Sequence, residues 1–350
     1  MRPVLLLMLL SFSCGTPPEV GGSGGGSTGG EGGGGGTELG DGGNDSSSGG
    51  AGGGATSGAG GGTPTGGAGG GATSGAGGGT PTGGAGGAGG GHTGKPGDFT
   101  RSLMHGGVQR SFRVHASAAS ATGRVPLVLV LHGYTETASL IQLQTGFDAV
   151  ANARGWITVY PQGVSNSWNG GGTCCGTAVS QNVDDVGFLR AVINALKAEY
   201  SIDDKRVHVT GMSNGGFMAH RAACELSDLI ASAASCAGQL QRMPCTPSRP
   251  VPIVQMHGTS DAIVPYTGIW YPSTDATMKA WATRNGCSSQ TPTRTGTSGS
   301  VSTDEWPCPA TGRVVLHTVT NGSHTWFQPS ASNPGATRTF ADFFDANPMP

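Results

Sequence analysis

The chain has 350 residues, a formal net charge of −2 and 11% charged residues. This balance excludes the strongly basic surface typical of nucleic-acid-binding proteins, and we expect no nucleic-acid partner. Gly accounts for 67 residues and is concentrated before residue 98. Composition therefore divides the chain into a Gly-rich region that cannot bury a core and a longer region that can.

Residues 1–14 predict a signal peptide. Arg2 precedes an apolar run at 4–10 that is far shorter than a membrane-spanning helix. The following SFSC resembles a bacterial lipobox, although the usual leucine three residues before the cysteine is a serine here. We expect lipidation of Cys14 to attach the protein to a membrane, with ordinary signal-peptidase cleavage as the alternative. Both routes predict a protein that is secreted or held at the extracellular or outer-membrane surface.

Residues 15–97 predict a disordered linker rich in Gly, Ser, Thr and Ala. The 17-residue unit AGGGATSGAGGGTPTGG occupies 51–67 and recurs at 68–84. It has no hydrophobic face on which neighbouring repeats would stack, which excludes a solenoid. The segment is typical of a flexible, solvated tether.

Residues 98–350 predict one catalytic domain of the α/β class. Short β-branched or apolar runs predict strands at 110–115, 125–131, 156–160, 206–210, 230–236, 252–256 and 313–318. Helical spacing predicts helices at 139–153, 186–199, 214–226, 274–284 and 336–346, with Asp185 as the cap of the second. This alternation favours a mainly parallel sheet covered by helices on both faces.

Ser213 is the candidate nucleophile. It lies in VTGMSNGGF (209–217), between a predicted strand and a predicted helix, with Gly211 and Gly215 two residues to either side. A serine at such a corner adopts a strained backbone that needs small neighbours, and the helix N-terminus directs partial positive charge towards it. The alternative is a turn serine in a chain rich in glycine.

A serine nucleophile needs a base and a carboxylate that orients the base, and both are expected in loops after later strands. Asp261 follows the strand at 252–256 and is the predicted acid. His324 follows the last strand, in NGSHTW, and is the predicted base. The weaker alternatives for these two roles are His220, His257, His317, Asp275 and Asp304.

Acyl transfer also needs donors for the oxyanion. We predict the backbone N–H groups of Asn214, directly after the nucleophile, and of Tyr134, in the loop after the strand at 125–131. Gly133 would allow the close approach that this loop requires. His132 is interpreted as a residue that fixes the turn.

Seven cysteines follow residue 98, and an exported protein is expected to pair some of them. We predict disulfides between Cys236 and Cys245 and between Cys287 and Cys308, each closing a short loop. The partners of the remaining three stay open: Cys174, Cys175 and Cys224. The spacing contains neither a CxxC pair nor a zinc-type histidine pattern, so we expect no metal site. We expect no organic cofactor either, because acyl transfer through a serine nucleophile needs none.

Six separated motifs, LVLVLHGYTETA, SWNGGGTCCG, VDDVGFLRAVINAL, RVHVTGMSNGGFMAHRAACE, VQMHGTSDAIVPYTG and NGSHTW, resemble one family. It is the α/β-hydrolase family that joins polyhydroxybutyrate depolymerases with feruloyl and acetylxylan esterases (carbohydrate esterase family 1). The resemblance begins near Val108 and implies Ser213, Asp261 and His324 as the triad. It departs from the family at Phe327, where a proline is usual.

The resemblance implies ester hydrolysis on a polysaccharide-linked or polyester substrate. Feruloyl or acetyl esters of plant-wall polysaccharide are the first expectation, and polyhydroxybutyrate is the alternative. Trp168 and Trp326 are the candidate substrate-binding residues, with Tyr266 and Trp270 as further aromatics for a sugar or feruloyl ring. Two other classes stay open: a catalytically inactive binding module on the same scaffold, and a peptidase.

Overall fold

The computed structural model describes residues 93–241, 243–331 and 333–350. The predicted signal peptide, the predicted lipidation site Cys14 and the predicted linker up to residue 92 lie outside the described residues. Across the described part of the chain, no helix combines the length and apolar character needed to cross a bilayer.

Ten strands in the described part of the chain form one sheet, in the order β1-β2-β4-β3-β5-β6-β7-β10-β9-β8. Their bounds are β1 Gly97–His105, β2 Val108–Ala116, β3 Val125–Leu131, β4 Ile157–Pro161, β5 Ile202–Met212, β6 Ser232–Cys236, β7 Ile253–Gly258, β8 Thr293–Ser298, β9 Val301–Glu305 and β10 Val314–Val319. The six central strands, from β4 to β10 in this order, pair in parallel, and the flanking strands pair antiparallel. The predicted mainly parallel sheet is confirmed.

Seven α-helices accompany these strands in the described residues. Their bounds are α1 Ala138–Thr145, α2 Phe147–Arg154, α3 Gly176–Ser180, α4 Asp185–Glu199, α5 Asn214–Glu225, α6 Thr274–Arg284 and α7 Gly335–Ala346. One buried cluster joins alternate residues of β3, including Leu127, to α4, α5 and α6. A second cluster joins the other residues of β3, including Val128, to α1, α2 and α7. Helices therefore cover both faces of the sheet, as predicted.

The predicted helix at 139–153 is two helices, because Gly146 adopts a left-handed conformation with φ 62° and ends α1. The helix cap predicted at Asp185 is also wrong. Asp184 caps α4 by accepting a hydrogen bond from the Gly187 N–H (2.9 Å). Asp185 is buried and forms an ion pair with Arg110 instead.

The domain is anchored before its first strand. The Gly94 N–H donates to the Glu199 carbonyl at the end of α4 (2.9 Å), and the Tyr200 hydroxyl donates to the Lys95 carbonyl (2.9 Å). The end of α4 leads directly into the start of β5, so these contacts lie at the amino edge of the parallel strands. Residues 94 and 95 thus pack against the domain before the first strand begins.

The structure corrects one predicted disulfide and confirms the other. Cys287 pairs with Cys308, as predicted, and Cys174 pairs with Cys175. Cys245 pairs with Cys224 instead of Cys236. The reason is the sheet itself, since Cys224 and Cys245 belong to the cluster on one face and Cys236 to the cluster on the other. Cys236 is free, and burial raises the pKa of its thiol to about 12.

Loss of the Cys224–Cys245 disulfide should destabilise the domain, because that bond closes a loop of 21 residues. We expect Cys224→Ser to lower the free energy of unfolding by about 2–4 kcal/mol. Urea denaturation measures this difference. The control is Cys236→Ala, which breaks no disulfide. An equal loss in both variants would contradict the assigned pairing.

Three histidines, two buried and one partly buried, predict loss of stability in acid. Burial lowers the pKa of His208 to about 3 and those of His220 and His317 to about 4. In the unfolded chain each titrates near about 6.5, so the unfolded state binds more protons below that pH. The melting temperature should therefore fall between about pH 6.5 and pH 4. His208→Gln should reduce this slope, and a flat profile across that range would contradict the interpretation.

Candidate active site

Ser213 lies at the corner where β5 ends and α5 begins. Its backbone has φ 52° and ψ −121°, a conformation that costs free energy for any residue with a Cβ. The Ser213 N–H donates to the Cys236 carbonyl at the end of β6 (2.9 Å), and the Ser213 carbonyl accepts from the Phe217 N–H in α5 (3.0 Å). The neighbouring strand and helix therefore hold the serine in this strained geometry.

The two glycines that flank Ser213 lie where the packing leaves no room for a Cβ atom. A Cβ on Gly211 would overlap the backbone carbonyl of Gly215. A Cβ on Gly215 would overlap the Leu131 carbonyl at the end of β3. The sequence argument for small residues on both sides of the serine is thus confirmed by the packing of β3, β5 and α5.

Asp261 and His324 lie in the loops that follow β7 and β10, which are neighbours in the sheet. The His324 Nδ1–H donates to Asp261 Oδ2 (2.8 Å). Asp261 Oδ1 accepts from the backbone N–H groups of Ile263 (2.9 Å) and Val264 (2.8 Å). Burial alone would raise the pKa of Asp261, but the hydrogen bonds from His257 and His324 hold it far below its usual range. Asp261 is therefore a carboxylate fixed in orientation.

Gly133 lies beside the nucleophile corner. An added Cβ on Gly133 would lie 3.6 Å from Ser213 Cβ and 2.9 Å from Glu136 Oε2. Burial raises the pKa of Glu136, while the hydrogen bond from the Gly133 N–H and the electrostatic effect of His324 act in the opposite direction. Ser213 and Glu136 therefore border the same glycine, at the edge where the parallel strands end.

The loop after β3 is fixed by His132 and Glu136. The His132 Nδ1–H donates to the Gly133 carbonyl (2.8 Å), and His132 Nε2 accepts from the Gly163 N–H (2.9 Å). Burial lowers the pKa of His132 to about 4, so the ring is neutral near pH 7. These contacts confirm that His132 fixes the turn. The Gly133 N–H is held by Glu136 Oε2 (2.8 Å), a contact that the sequence analysis missed.

Asn214 links the nucleophile corner to a buried tryptophan. Its side-chain amide donates to the Trp168 carbonyl (3.0 Å) and accepts from the Trp168 N–H (2.7 Å). Its backbone N–H lies in the first turn of α5, where such groups have no partner within the helix and point out of the helix end. Its position is compatible with the predicted role as an oxyanion donor, which remains a prediction together with the role of Tyr134.

The predicted substrate-binding tryptophans are wrong, because both are buried. Trp168 is 0% exposed and its indole N–H donates to the His132 carbonyl (3.0 Å). Trp326 is 1% exposed and its indole N–H donates to Thr337 Oγ1 (2.9 Å). Neither ring face is open to a substrate. Both indoles pack in the core. Their sequence positions beside the site motifs did not indicate that they would be buried.

Trp270 has the exposure that those two residues lack. It is 68% exposed and lines a cavity of about 350 Å³. The other lining residues are mostly small or apolar: Gly172, Thr173, Leu240, Gln241, Met243, Pro272, Ala276, Thr277 and Ala280. The cavity lies where the loop that carries the Cys174–Cys175 disulfide, the segment after β6, the loop that carries Asp261 and α6 meet.

A buried ion pair supports the loop that carries Trp168. Arg110 donates to Asp185 Oδ1 (2.7 Å), with side-chain exposures of 4% and 0%. Asp185 Oδ2 accepts from the Asn169 N–H (2.8 Å), and Arg221 donates to the Asn169 carbonyl (2.6 Å). Asp185 thus anchors the residue after Trp168. The sequence analysis missed this role because it assigned Asp185 to the helix cap.

One cluster in the described residues has metal-ligating side chains, Asp98, His115 and Asp148, with one ligand atom of each within 4.8 Å of the others. His115 bonds Asp98 through Nδ1 (2.8 Å) and Asn152 through Nε2 (3.0 Å). Both ring nitrogens therefore already have partners, and the cluster serves to join β1 and β2 to α2.

Comparison with known proteins relates the chain to esterases. A family model described as Phospholipase/Carboxylesterase matches residues 180–282, which include Ser213 and Asp261. The chain is 32% identical over 254 residues to NocK of Nocardia uniformis subsp. tsuyamanensis, whose name assigns it to the esterases. That match covers 65% of this chain and 73% of NocK. The chain belongs to this esterase family.

Other members of the esterase family match over shorter parts. Feruloyl esterase B of Piromyces equi is 30% identical over 218 residues, covering 57% of this chain and 39% of that protein. Poly(3-hydroxyalkanoate) depolymerase C of Paucimonas lemoignei is 34% identical over 117 residues, covering 32% of this chain and 28% of that protein. The chain therefore spans well under half the length of these two relatives.

A solved structure confirms the α/β-hydrolase fold expected of this esterase family. The acetyl xylan esterase from Aspergillus awamori superposes with a TM-score of 0.55 at 14% identity. The superposition covers 71% of this chain and 99% of that chain.

Gly215→Ala should prevent correct folding of the nucleophile corner, because its Cβ would overlap a backbone carbonyl that cannot move without displacing β3. We expect the variant to lose soluble, cooperatively folding protein. The matched control is Gly123→Ala, since a Cβ at Gly123 meets nothing within 4 Å. Thermal denaturation of both variants checks the difference, and a Gly215→Ala protein as stable as the control would contradict the packing argument.

Proposed function

We propose that the protein is a serine esterase whose triad is Ser213, Asp261 and His324. The observation that carries the proposal is the 2.8 Å hydrogen bond between His324 and a fixed Asp261 carboxylate, at the strand edge where the strained Ser213 also lies. Membership of an esterase family supports the reaction class. Competent residues at all three positions argue against an inactive binding module.

In the proposed reaction His324 Nε2 accepts the hydroxyl proton as Ser213 Oγ attacks the ester carbonyl. Asp261 orients the imidazole through Nδ1 and stabilises its cation. The backbone N–H groups of Asn214 and Tyr134 stabilise the oxyanion. His324 then protonates the departing alcohol, and water attacks the acyl-enzyme by the same route in reverse. None of these steps requires a metal or another cofactor.

We propose feruloyl or acetyl esters of plant-wall polysaccharide as the substrate class. The cavity beside Trp270 supports this choice, because an exposed indole face and small apolar neighbours suit a flat aromatic or sugar ring. The names of the relatives in the family include this substrate class.

Polyhydroxyalkanoate is the second candidate substrate. Ile263, Ile269 and Trp270 are exposed apolar residues in the loop that carries Asp261, and Met243 is a further one at the cavity. Such a group is compatible with a water-insoluble polyester.

The proposed location is outside the cytoplasm. Disulfide bonds persist in oxidising compartments, and the domain contains three of them among its described residues. Together with the signal-like residues 1–14, this supports an exported protein. Attachment through a lipid on Cys14 remains part of the proposal.

Ser213→Ala should lower kcat for p-nitrophenyl acetate by at least about a thousandfold, because the nucleophile is removed. Asp261→Asn should lower it by about four orders of magnitude, since the amide favours the wrong tautomer of His324. Steady-state kinetics and fluorophosphonate labelling with peptide mapping measure both effects. The control is Ser260→Ala, an exposed neighbour of Asp261. Full activity or continued labelling of Ser213→Ala would reject the assignment.

A substrate panel separates the two substrate classes. Feruloylated and acetylated xylan should be hydrolysed, and a film of 3-hydroxybutyrate polymer should not. Trp270→Ala should lower kcat/KM for the feruloyl ester about tenfold and leave p-nitrophenyl acetate unchanged. Film clearing without xylan deesterification would favour the polyester, and amide hydrolysis would favour a peptidase.

A further inference from the structure

A second histidine, His257, contacts the carboxylate of the proposed triad. It lies near the end of β7, and its side chain is fully buried. His257 Nε2 is 3.2 Å from Asp261 Oδ2 and 2.9 Å from the Val264 carbonyl oxygen. Both partners are acceptors, so Nε2 carries a hydrogen. The single Nε2–H is therefore shared between the Val264 carbonyl, the nearer acceptor, and Asp261 Oδ2, which also accepts from His324.

The other ring nitrogen of His257 faces donors. His257 Nδ1 is 3.2 Å from the Gln255 amide nitrogen and 3.5 Å from the Gln239 amide nitrogen. Nδ1 therefore accepts a hydrogen bond and carries no hydrogen. Together with the hydrogen on Nε2, this makes His257 a neutral imidazole of one defined tautomer.

A buried chain of hydrogen bonds fixes the orientation of Gln255. The Trp281 indole N–H is a donor only, and it donates to His220 Nδ1 (3.0 Å). His220 must then carry its hydrogen on Nε2, which donates to Gln255 Oε1 (3.1 Å). That contact turns the Gln255 amide nitrogen towards His257 Nδ1. The direction of each bond from Trp281 to Asp261 thus follows from the indole.

We propose that His257 is a positioning residue for the esterase reaction, acting as a neutral Nε2–H donor that holds Asp261 Oδ2 in line with His324 Nδ1. This inference rests on the proposed triad. The two hydrogen bonds on Oδ2 and the two backbone N–H groups on Oδ1 leave the carboxylate no free rotation. A misplaced carboxylate would orient the base poorly, and small errors of geometry cost large factors in rate.

The titratable groups that face His257 are Asp261 and Tyr266 from the following loop, His220 from α5, and His324 across Asp261. Among the contacts of His257, Nδ1 receives the Gln255 amide donor and Nε2 faces Asp261 and the Val264 carbonyl.

His257→Phe tests this role in the full-length enzyme. We expect kcat for p-nitrophenyl acetate, normalised to active sites by fluorophosphonate titration, to fall about ten- to a hundredfold with KM unchanged. Loss of the N–H makes Asp261 more basic, so the acidic limb of the pH profile of kcat/KM should move to higher pH. His257→Gln restores an N–H donor and should recover most of kcat and the wild-type limb.

The matched control is His317→Phe. His317 is a histidine of β10 that bonds Thr303 Oγ1 (2.9 Å) in the neighbouring strand β9, outside the proposed triad. It should lose stability but keep the wild-type kcat per active site and the wild-type acidic limb. If His257→Phe behaves in the same way, its role is structural only and the proposal is overturned.

Histidine ¹⁵N NMR of the wild-type protein gives a test that does not depend on a variant folding. At the pH of the activity assay, His257 should carry its hydrogen on Nε2 and none on Nδ1. A hydrogen on Nδ1 would overturn the proposal. Failure of the triad is a separate result, because it would appear as an active Ser213→Ala enzyme whatever the state of His257.

Discussion

The close approach of the first turn of α5 to the end of β3 is the constraint on which the site depends. At Gly215 the two backbones leave no space for a Cβ, and at Gly211 the strand and the helix meet with equally little room. Ser213 between them is forced to positive φ, and its backbone N–H bonds the end of β6. The loop after β3 is brought beside the serine by the same contact. The parallel sheet then places the loops after β7 and β10 at the same edge.

Several buried polar side chains below this edge have defined partners. The Arg110–Asp185 pair is deeply buried. Each of the two side chains also forms a hydrogen bond with a backbone group of a neighbouring segment. His132 and His257 are neutral rings that bond backbone carbonyls. A buried polar group left without a partner would cost about 1–3 kcal/mol, so these networks fix one arrangement of the loops. Precision at the surface of the site thus depends on satisfied groups beneath it.

The central strands were predicted well from the sequence, because their buried residues form the apolar pattern that is typical of a strand. Every residue of β3 is buried, and a continuous apolar run is the pattern that such a strand requires. The strands β1, β8 and β9 were not predicted. β8 is exposed along its whole length and polar in sequence, so its pairing with β9 leaves no hydrophobic pattern. The break between α1 and α2 at Gly146 was not predicted either, because the helical spacing of apolar residues continues across this glycine.

Within the site, the order of motifs along the chain predicted which side chains lie at the strand ends, because the strand topology determines those positions. The order of residues did not predict how deeply a side chain is buried or which face of the sheet it lies on. Trp168 and Trp326 follow the right strands but point inward, and Cys236 lies on the opposite face from Cys245. Glu136 and His257 act through contacts with backbone or with another side chain, which no local motif records.

Gly94 and Lys95 are anchored against the end of α4, at the edge where the parallel strands begin. The strands end at the opposite edge, where Ser213 lies. The contacts of residues 94 and 95 therefore leave the Ser213 edge to the loops that follow β3, β7 and β10.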